Sequence, residues 1–286
     1  MVKVIIDEVE HSASEGTTII DAAQQAGIYI PHICSHPDLS PQKSLKPAEA
    51  VYRGQLKLEN QKAGLEWEGC RLCVVEIEGK EGLHRSCNTP VEEGMVIRTV
   101  TPEVQEYQRD RLMLKMAKHP HACLGCAQKE GCARFPCSMN VPEHERCCWR
   151  FGNCEIQQVA EYVGIKPETP RYIFEDIPVI SDEPLFERDY NLCIGCTRCV
   201  RVCREVRGIE ALDFVFDDEG RVLVGSVGPG PRESACKFCT ACVQICPTGA
   251  LRDKEEYSEP PCQTGCPAGI DVARYVRLVG EGKNGE

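Results

Sequence analysis

The feature that most constrains this chain is a pair of cysteine runs with identical spacing. The first run reads Cys193-x2-Cys196-x2-Cys199-x3-Cys203, and the second reads Cys236-x2-Cys239-x2-Cys242-x3-Cys246 and is followed by Pro247. This is the ligand spacing of two [4Fe–4S] clusters in which the fourth cysteine of each run binds the cluster of the other run. A zinc site would need separated pairs rather than triplets. We therefore predict a protein that carries electrons on two [4Fe–4S] clusters in this region.

The composition limits where such a chain works and what it binds. The 286 residues include 21 cysteines, an odd number with metal-like spacings, which argues against a secreted disulfide scaffold. Charged residues occupy the start of the chain, where a signal peptide would be apolar, and no apolar run is long enough to span a membrane. A net charge of −11 argues against nucleic acid and membrane partners. We expect a soluble, cytoplasmic protein in a reducing environment.

The elements predicted in the first 100 residues follow one another in an order compatible with a small ferredoxin domain. A weakly alternating strand is predicted from Val2 to Asp7 and over the next few residues, with a turn near Glu15 and Gly16. Thr17 or Thr18 can cap a helix that Gly27 ends. A cysteine loop follows, and further cysteines come later. The candidate metal ligands of this part are Cys34, Cys70, Cys73 and Cys87.

These residues resemble a known domain. The pieces "IPHIC", "GCRLCVVEIEG" and "SCNTPVEEGM" are similar to the plant-type [2Fe–2S] domain that opens the 75-kDa subunit of respiratory complex I and many iron hydrogenases. The resemblance implies a β-grasp [2Fe–2S] domain over residues 1–100 with those four ligands. Thirty-five residues, 35–69, separate the first two cysteines, a far longer interval than in these relatives. Because this insert is polar, we predict that it loops out of the domain, and a buried free Cys34 is the alternative to a fourth ligand.

A third group of candidate ligands lies in residues 101–176. Thr101 and Pro102 start a predicted helix that runs to Lys118. It is followed by His119-x3-Cys123-x2-Cys126-x5-Cys132, which resembles the [4Fe–4S] site with one histidine and three cysteines in the same relatives. The segment from 133 to 153 looks inserted, because the "CELQ"-type helix of the family appears only as "CEIQ" at Cys154. The additional cysteines are Cys137, Cys147, Cys148 and Cys154.

Eight ligands in this segment would suffice for two [4Fe–4S] clusters. We favour His119, Cys123, Cys126 and Cys132 for one cluster, with Cys137, Cys147, Cys148 and Cys154 for the other. An exchange between Cys132 and Cys154 remains open. So do a single cluster accompanied by buried free cysteines, and His121 in place of His119.

The two cysteine runs belong to a predicted two-cluster bacterial-type ferredoxin domain over residues 177–256. The segment 168–182, rich in proline and acids, reads as a linker, and residues 211–224 read as a β-hairpin. In the last part, 257–286, the piece "PPCQTGCPAGIDV", which contains Cys262 and Cys266, and the following "ARYVRLVGEGK" resemble the start of the glutamate synthase small subunit and of the transhydrogenase large subunit. These two cysteines supply only half of the ligands of a cluster, and the alternative is that both are free thiols.

Together these patterns predict an α+β protein whose β-grasp [2Fe–2S] domain is followed by a small helical [4Fe–4S] segment and by the ferredoxin domain. The expected cofactors are one [2Fe–2S] cluster and three to four [4Fe–4S] clusters. The resemblance implies flavin and NAD(P) on partner subunits only. These partners are an NADH-binding FMN flavoprotein, a thioredoxin-like [2Fe–2S] subunit and a second redox subunit or ferredoxin.

We therefore predict a non-catalytic electron-transfer subunit of an NAD(P)-linked oxidoreductase, preferably a flavin-based electron-bifurcating one. The alternatives are a cluster subunit of a hydrogenase or formate dehydrogenase complex and, less favoured, a structural or redox-sensing iron–sulfur protein. No residue stands out as a catalytic acid, base or nucleophile. The glycines at 225, 228 and 230 do not open a helix, so we do not interpret them as a dinucleotide-binding turn.

Overall fold

The computed structural model describes residues 1–129, 132, 134, 136–181, 183–230 and 232–254. The predicted segment 257–286, with Cys262 and Cys266, lies outside these residues. Within the described part of the chain no helix is long and apolar enough to cross a lipid bilayer. Sheets and short helices alternate along the chain, which gives the expected α+β class.

In chain order, the strands are β1 (Val2–Ile6), β2 (Val9–Ala13), β3 (Ala50–Arg53), β4 (Leu56–Glu59), β5 (Val74–Ile77), β6 (Lys80–Arg85), β7 (Val96–Arg98), β8 (Phe186–Arg188), β9 (Leu212–Phe216), β10 (Val222–Ser226) and β11 (Leu251–Asp253). The helices are α1 (Ile19–Gln25), α2 (Pro102–Met116), α3 (Glu155–Val163), α4 (Arg198–Arg201) and α5 (Ala241–Gln244). Single 3₁₀ turns occupy Glu143–Glu145 and Tyr190–Leu192, and a π-helical turn, Val202–Val206, extends α4.

The first hundred residues build a five-stranded sheet in the order β2-β1-β7-β5-β6. Strand β1 runs parallel to β7, and the other neighbours are antiparallel. The prediction that the first strand continues beyond Asp7 is wrong. Asp7 and Glu8 have φ values of 46° and 70°, so the chain turns there and β1 and β2 form a hairpin. The turn predicted at Glu15 and Gly16 is confirmed.

Helix α1 covers one face of this sheet and begins where the sequence predicts. The Thr18 hydroxyl accepts a hydrogen bond from the Asp21 backbone N–H at 3.3 Å, which satisfies an otherwise unpaired donor of the first turn. Gly27, with a φ of 75°, takes the left-handed conformation just after the helix. The apolar face of the helix joins a core with the buried side chains of β1, β5 and β7. The chain after Gly27 then passes to Cys34.

The insert between Cys34 and Cys70 does not loop out, which corrects our prediction. Its strands β3 and β4 form a hairpin, and β3 pairs with β10 in a four-stranded sheet of order β4-β3-β10-β9. Val51 is fully buried, and Leu45 and Trp67 exchange backbone hydrogen bonds of 2.9 and 2.8 Å. Val51 and Trp67 therefore pack inward, while Leu56 and Leu65 remain exposed. The predicted hairpin of residues 211–224 is confirmed as β9 and β10.

Gly225 allows the insert to approach strand β10. A Cβ atom at this position would lie 2.6 Å from the Tyr52 carbonyl oxygen and 2.9 Å from a methyl group of Val51. We expect Gly225→Ala to destabilise the folded protein by about 1–3 kcal/mol, because backbone and buried Val51 would have to move. Anaerobic urea denaturation should detect this loss. An unchanged denaturation midpoint would show that the insert hairpin does not rest on β10.

One apolar core joins the three regions of the chain. Helix α2 begins at the predicted cap, where the Thr101 hydroxyl accepts from the Val104 N–H at 3.2 Å, and it ends two residues short of the predicted Lys118. Its buried Leu112 and Met116 pack in the same cluster as α3, strands β9 and β10, and residues beside Cys34 and Cys70. The cysteine-bearing loops therefore meet at one shared interior. The division at 100/101 and 176/177 remains a sequence prediction.

Candidate iron–sulfur sites

The structure brings Cys34 together with the other three cysteines of the N-terminal region. All four are buried, with exposures of 1%, 4%, 1% and 2% for Cys34, Cys70, Cys73 and Cys87. The Cys70 N–H donates to Cys34 Sγ at 3.4 Å. Gly69 makes this approach possible, since its φ is 101° and a Cβ there would lie 3.4 Å from the same sulfur.

The electrostatics of this group fit a shared metal cluster. Hydrogen bonds from Cys70 and Cys87 hold the pKa of Cys34 well below its ordinary value, and the nearby Arg201 acts in the same direction. The hydrogen bond to Cys34 raises the pKa of Cys70, with burial as the next cause. Four buried thiols in mutual contact can lose their protons together only if positive charge joins them. Two iron atoms with bridging sulfides would supply that charge.

The two cysteine runs interleave around two cavities. Cys193, Cys196 and Cys199 line the first cavity together with Cys246 from the other run. Cys236, Cys239 and Cys242 line the second together with Cys203. Each cavity thus has three cysteines of one run and the last cysteine of the other. This is the arrangement that two [4Fe–4S] clusters of a ferredoxin domain require.

A matching backbone conformation produces the two halves of this arrangement. Thr197 and Thr240 follow the second cysteine of each run, and both adopt left-handed φ values, 60° and 52°. The chain turns sharply there, and α4 and α5 start at the next residue. Burial raises the pKa of Cys196 and of Cys242 to about 12, so these thiols ionise only when a cationic group compensates them.

Among the described residues of segment 119–154, four cysteines line a third cavity. They are Cys123, Cys126, Cys132 and Cys137. The structure therefore brings Cys137 into a group with three of the four residues that we had assigned to the histidine site. His119, Cys147, Cys148 and Cys154 lie outside that lining. No set of three or more His, Cys, Asp or Glu side chains in the described chain is arranged to hold a single metal ion.

His119 is buried and neutral. It is 4% exposed, and its Nδ1 atom is buried without a hydrogen-bond partner. Burial lowers its pKa to about 4, the charge of His121 acts in the same direction, and a hydrogen bond with the Leu192 backbone opposes them. A neutral imidazole with a buried unpaired nitrogen is suited to binding a metal. The His121 Nδ1 atom instead lies 2.8 Å from the His119 carbonyl oxygen.

Two buried arginines within the first run were not anticipated from the sequence. Arg201 is 2% exposed, and its guanidinium donates to the Cys34 carbonyl oxygen at 3.1 Å and to Gln42 Oε1 at 2.8 Å. Arg198 is 1% exposed and pairs with Glu155 at 2.8 Å. Their position between ligand cysteines was the only signal in the sequence. Arg201 connects the first run, the insert and the loop of Cys34.

Two sequence families match parts of this chain. Residues 1–49 and 56–102 match the 2Fe-2S iron-sulfur cluster binding domain family. Residues 183–252 match the ferredoxin-like domain of NADH-quinone oxidoreductase subunit 3. The gap in the first match, residues 50–55, coincides with strand β3 and the turn that follows it. Both matches agree with the regions where the cysteine groups described above lie.

Curated relatives match almost the whole chain. A subunit of the NADH-quinone oxidoreductase of Rhizobium meliloti is 29% identical over 100% of this chain. The NADP-reducing hydrogenase subunit HndD of Solidesulfovibrio fructosivorans is 31% identical over 89% of it, and the alpha subunit of the NADPH-Fe(3+) oxidoreductase of Geobacter sulfurreducens is 28% identical over 89%. The chain spans only 30%, 36% and 24% of these three relatives.

A solved structure shows the same fold. One chain in the crystal structure of an NAD+-reducing [NiFe]-hydrogenase in the H2-reduced state superposes with a TM-score of 0.61 at 25% identity, covering 91% of both chains. The chain combines a 2Fe-2S domain with a following ferredoxin-like domain, and it is a homologue of subunits from NAD(P)-linked oxidoreductase and hydrogenase complexes.

Proposed function

We propose that this chain is an electron-transfer subunit that passes single electrons through a series of iron–sulfur clusters. Residues 1–100 would form a β-grasp domain with one [2Fe–2S] cluster, and the described cysteine groups after it would bind [4Fe–4S] clusters. Each cluster, when bound, supplies a one-electron carrier whose potential depends on its ligands, its hydrogen bonds and its burial. The protein residues hold these carriers, exclude water and donate N–H groups to the sulfurs.

The observation that carries this proposal is the direct contact between neighbouring ligand loops. Arg201, inside the first run, donates to the Cys34 carbonyl. The Cys154 thiol lies 3.6 Å from the Pro247 carbonyl, next to Cys246. The Cys147 N–H donates to Cys123 Sγ at 3.3 Å. These contacts connect the N-terminal group, the ferredoxin groups and segment 119–154 into one continuous path.

The N–H groups around the sulfurs support a redox role. The Ala211 N–H donates to Cys203 Sγ at 3.3 Å, and the Phe238 N–H lies 3.5 Å from Cys236 Sγ. Such bonds stabilise the negative charge of a reduced cluster and so raise its potential.

The partners proposed from the resemblance remain an FMN flavoprotein that binds NADH, a thioredoxin-like [2Fe–2S] subunit, and a second redox subunit or ferredoxin. Flavin-based electron bifurcation is the preferred setting, and it rests on the resemblance of residues 257–286 to the transhydrogenase large subunit. We assign no catalytic residue to the chain. A cytoplasmic location is part of the same proposal.

A hydrogenase or formate dehydrogenase complex is the second candidate setting. It is favoured by the similarity to HndD and to a chain of the [NiFe]-hydrogenase structure. Metal analysis and a hydrogenase assay of the native complex together distinguish the two settings. Nickel, molybdenum or tungsten, or hydrogen-dependent NAD(P) reduction, would indicate this second setting, whereas additional flavin without any of them would favour bifurcation. A single flavin-free protein without partners would instead suggest the sensor role.

The test of the proposed function is electron delivery to the purified chain. We expect the isolated chain to contain no flavin and to remain oxidised with NADH or NADPH, because it lacks a glycine-rich dinucleotide turn. Addition of the cognate flavoprotein subunit should make its visible absorbance bleach on reduction. Bleaching by NAD(P)H without any partner, or stoichiometric flavin in the washed chain, would contradict the assignment.

A further inference from the structure

We propose that the eight candidate ligands of segment 119–154 are not divided in chain order. Cys123, Cys126, Cys132 and Cys137 hold one [4Fe–4S] cluster, and His119, Cys147, Cys148 and Cys154 hold another. This inference rests on the proposed function and specifies which residues of this chain serve each of the two sites.

The all-cysteine set is defined by its common cavity and by the donors around it. Four sulfurs line this space, and neither His119 nor Cys147 does. The Gln128 N–H lies 3.4 Å from Cys126 Sγ, the Arg134 N–H lies 3.3 Å from Cys132 Sγ, and the Cys147 N–H reaches Cys123 Sγ. Backbone N–H donors to cysteine sulfur also lie at the second ferredoxin cavity, at Cys203 and Cys236. The third cavity therefore has the same construction.

The histidine set lies on the other side, against the loop that follows Cys246. Cys148 Sγ is so close to Gly249 that a Cβ there would lie 2.6 Å from it, and the Cys154 thiol is 3.6 Å from the Pro247 carbonyl. The His119 ring lies near the Leu192 backbone, and the Leu192 carbonyl accepts from the Thr248 hydroxyl at 3.0 Å. Cys148 and Cys154 thus contact this short loop directly, and His119 is connected to it through Leu192.

Cys147 completes this second set. Its thiol lies 3.7 Å from the carbonyl oxygen of Pro120, the residue after His119. The Cys123 thiol acts most strongly on the Cys147 thiol, and Cys148 and Cys154 act on it more weakly. The Cys147 backbone N–H also donates to Cys123 Sγ of the first set. The two sets therefore touch at Cys123 and Cys147, and the histidine set lies between the all-cysteine set and the ferredoxin cavity that contains Cys246.

The discriminating experiment follows the histidine nitrogen by pulsed EPR. The full chain is produced with ¹⁵N-labelled histidine, reduced anaerobically, and compared with Cys126→Ala and Cys154→Ala variants. We expect a ¹⁵N-coupled [4Fe–4S] signal that Cys154→Ala abolishes and Cys126→Ala leaves in place. The reverse pattern, in which Cys126→Ala abolishes the coupling and Cys154→Ala retains it, would overturn the proposed division in favour of chain order.

Iron content gives a second measurement that does not depend on the ¹⁵N-coupled EPR signal. Each single variant should lose about four irons, one cluster. The double variant Cys126→Ala/Cys137→Ala should lose no more than the single variants, because both residues serve one cluster. The control double variant, Cys126→Ala/Cys154→Ala, should lose about eight irons under either division. A loss of about eight from the first double variant would refute our grouping.

The two proposals fail in different ways. A wild-type chain that binds no reducible cluster would refute the proposed electron-transfer function itself. A chain with reducible clusters but with the chain-order pattern would refute only the division. If an alanine variant loses its [2Fe–2S] signal as well, the corresponding Cys→Ser variants are compared by the same ¹⁵N-coupled EPR signal and by iron content.

Discussion

The anaerobically purified full chain should contain about eighteen iron atoms, with a similar number of acid-labile sulfides. This number follows from one [2Fe–2S] cluster on the N-terminal cysteines, two [4Fe–4S] clusters on the interleaved runs, and two more on segment 119–154. The buried, mutually coupled thiols of Cys34, Cys70, Cys73 and Cys87 and the three cysteine-lined cavities are the structural basis. Iron and sulfide analysis, with EPR of the reduced protein, is the measurement.

Other iron contents would identify the part of this interpretation that fails. A value near fourteen would mean that segment 119–154 binds one [4Fe–4S] cluster instead of two. A value of about four or less, with zinc present, would be incompatible with an electron-carrying series of clusters. The Cys34→Ala variant is a useful control, because it should remove about two irons and leave the [4Fe–4S] signals unchanged.

Replacing the buried Arg201 should destabilise the protein by about 3 kcal/mol. In Arg201→Met the side-chain volume is nearly kept, but the carbonyl oxygens of Cys34 and Ser40 and the amide oxygen of Gln42 lose their charged donor. Glu205, whose carboxylate lies 3.0 Å from the guanidinium, would be left without it. Buried acceptors without partners carry most of this cost.

Arg204→Met is the matched control. Arg204 lies three residues further along and pairs with Asp213 at 3.0 Å, but its side chain is 33% exposed. A partly exposed pair contributes about 1 kcal/mol or less. Anaerobic urea denaturation of both variants, followed by cluster absorbance, should separate the two effects clearly. Equal denaturation midpoints for the two variants would show that Arg201 does not hold the first run, the insert and the Cys34 loop together.

Local patterns predicted the regular elements well. The caps at Thr18 and Thr101 and the hairpin of β9 and β10 depend on neighbouring residues, and the structure confirms them. The continuous strand after Val2 was wrong, because alternation says little about where a chain turns, and Asp7 and Glu8 adopt left-handed conformations. The insert was also misjudged. Its polar composition concealed a hairpin whose pairing partner, β10, lies more than 150 residues away in the sequence.

The sequence by itself determined the type of chemistry. Cysteine spacing within a run is a local property, so it identified the interleaved arrangement that the cavities around Cys246 and Cys203 display. Only the tertiary structure decided which residues of distant segments meet. Cys34 reaches Cys70 across thirty-five residues because the insert packs on β10, and Cys137 lines the same cavity as Cys123. Such groupings depend on long-range packing, and spacing along the chain does not encode them.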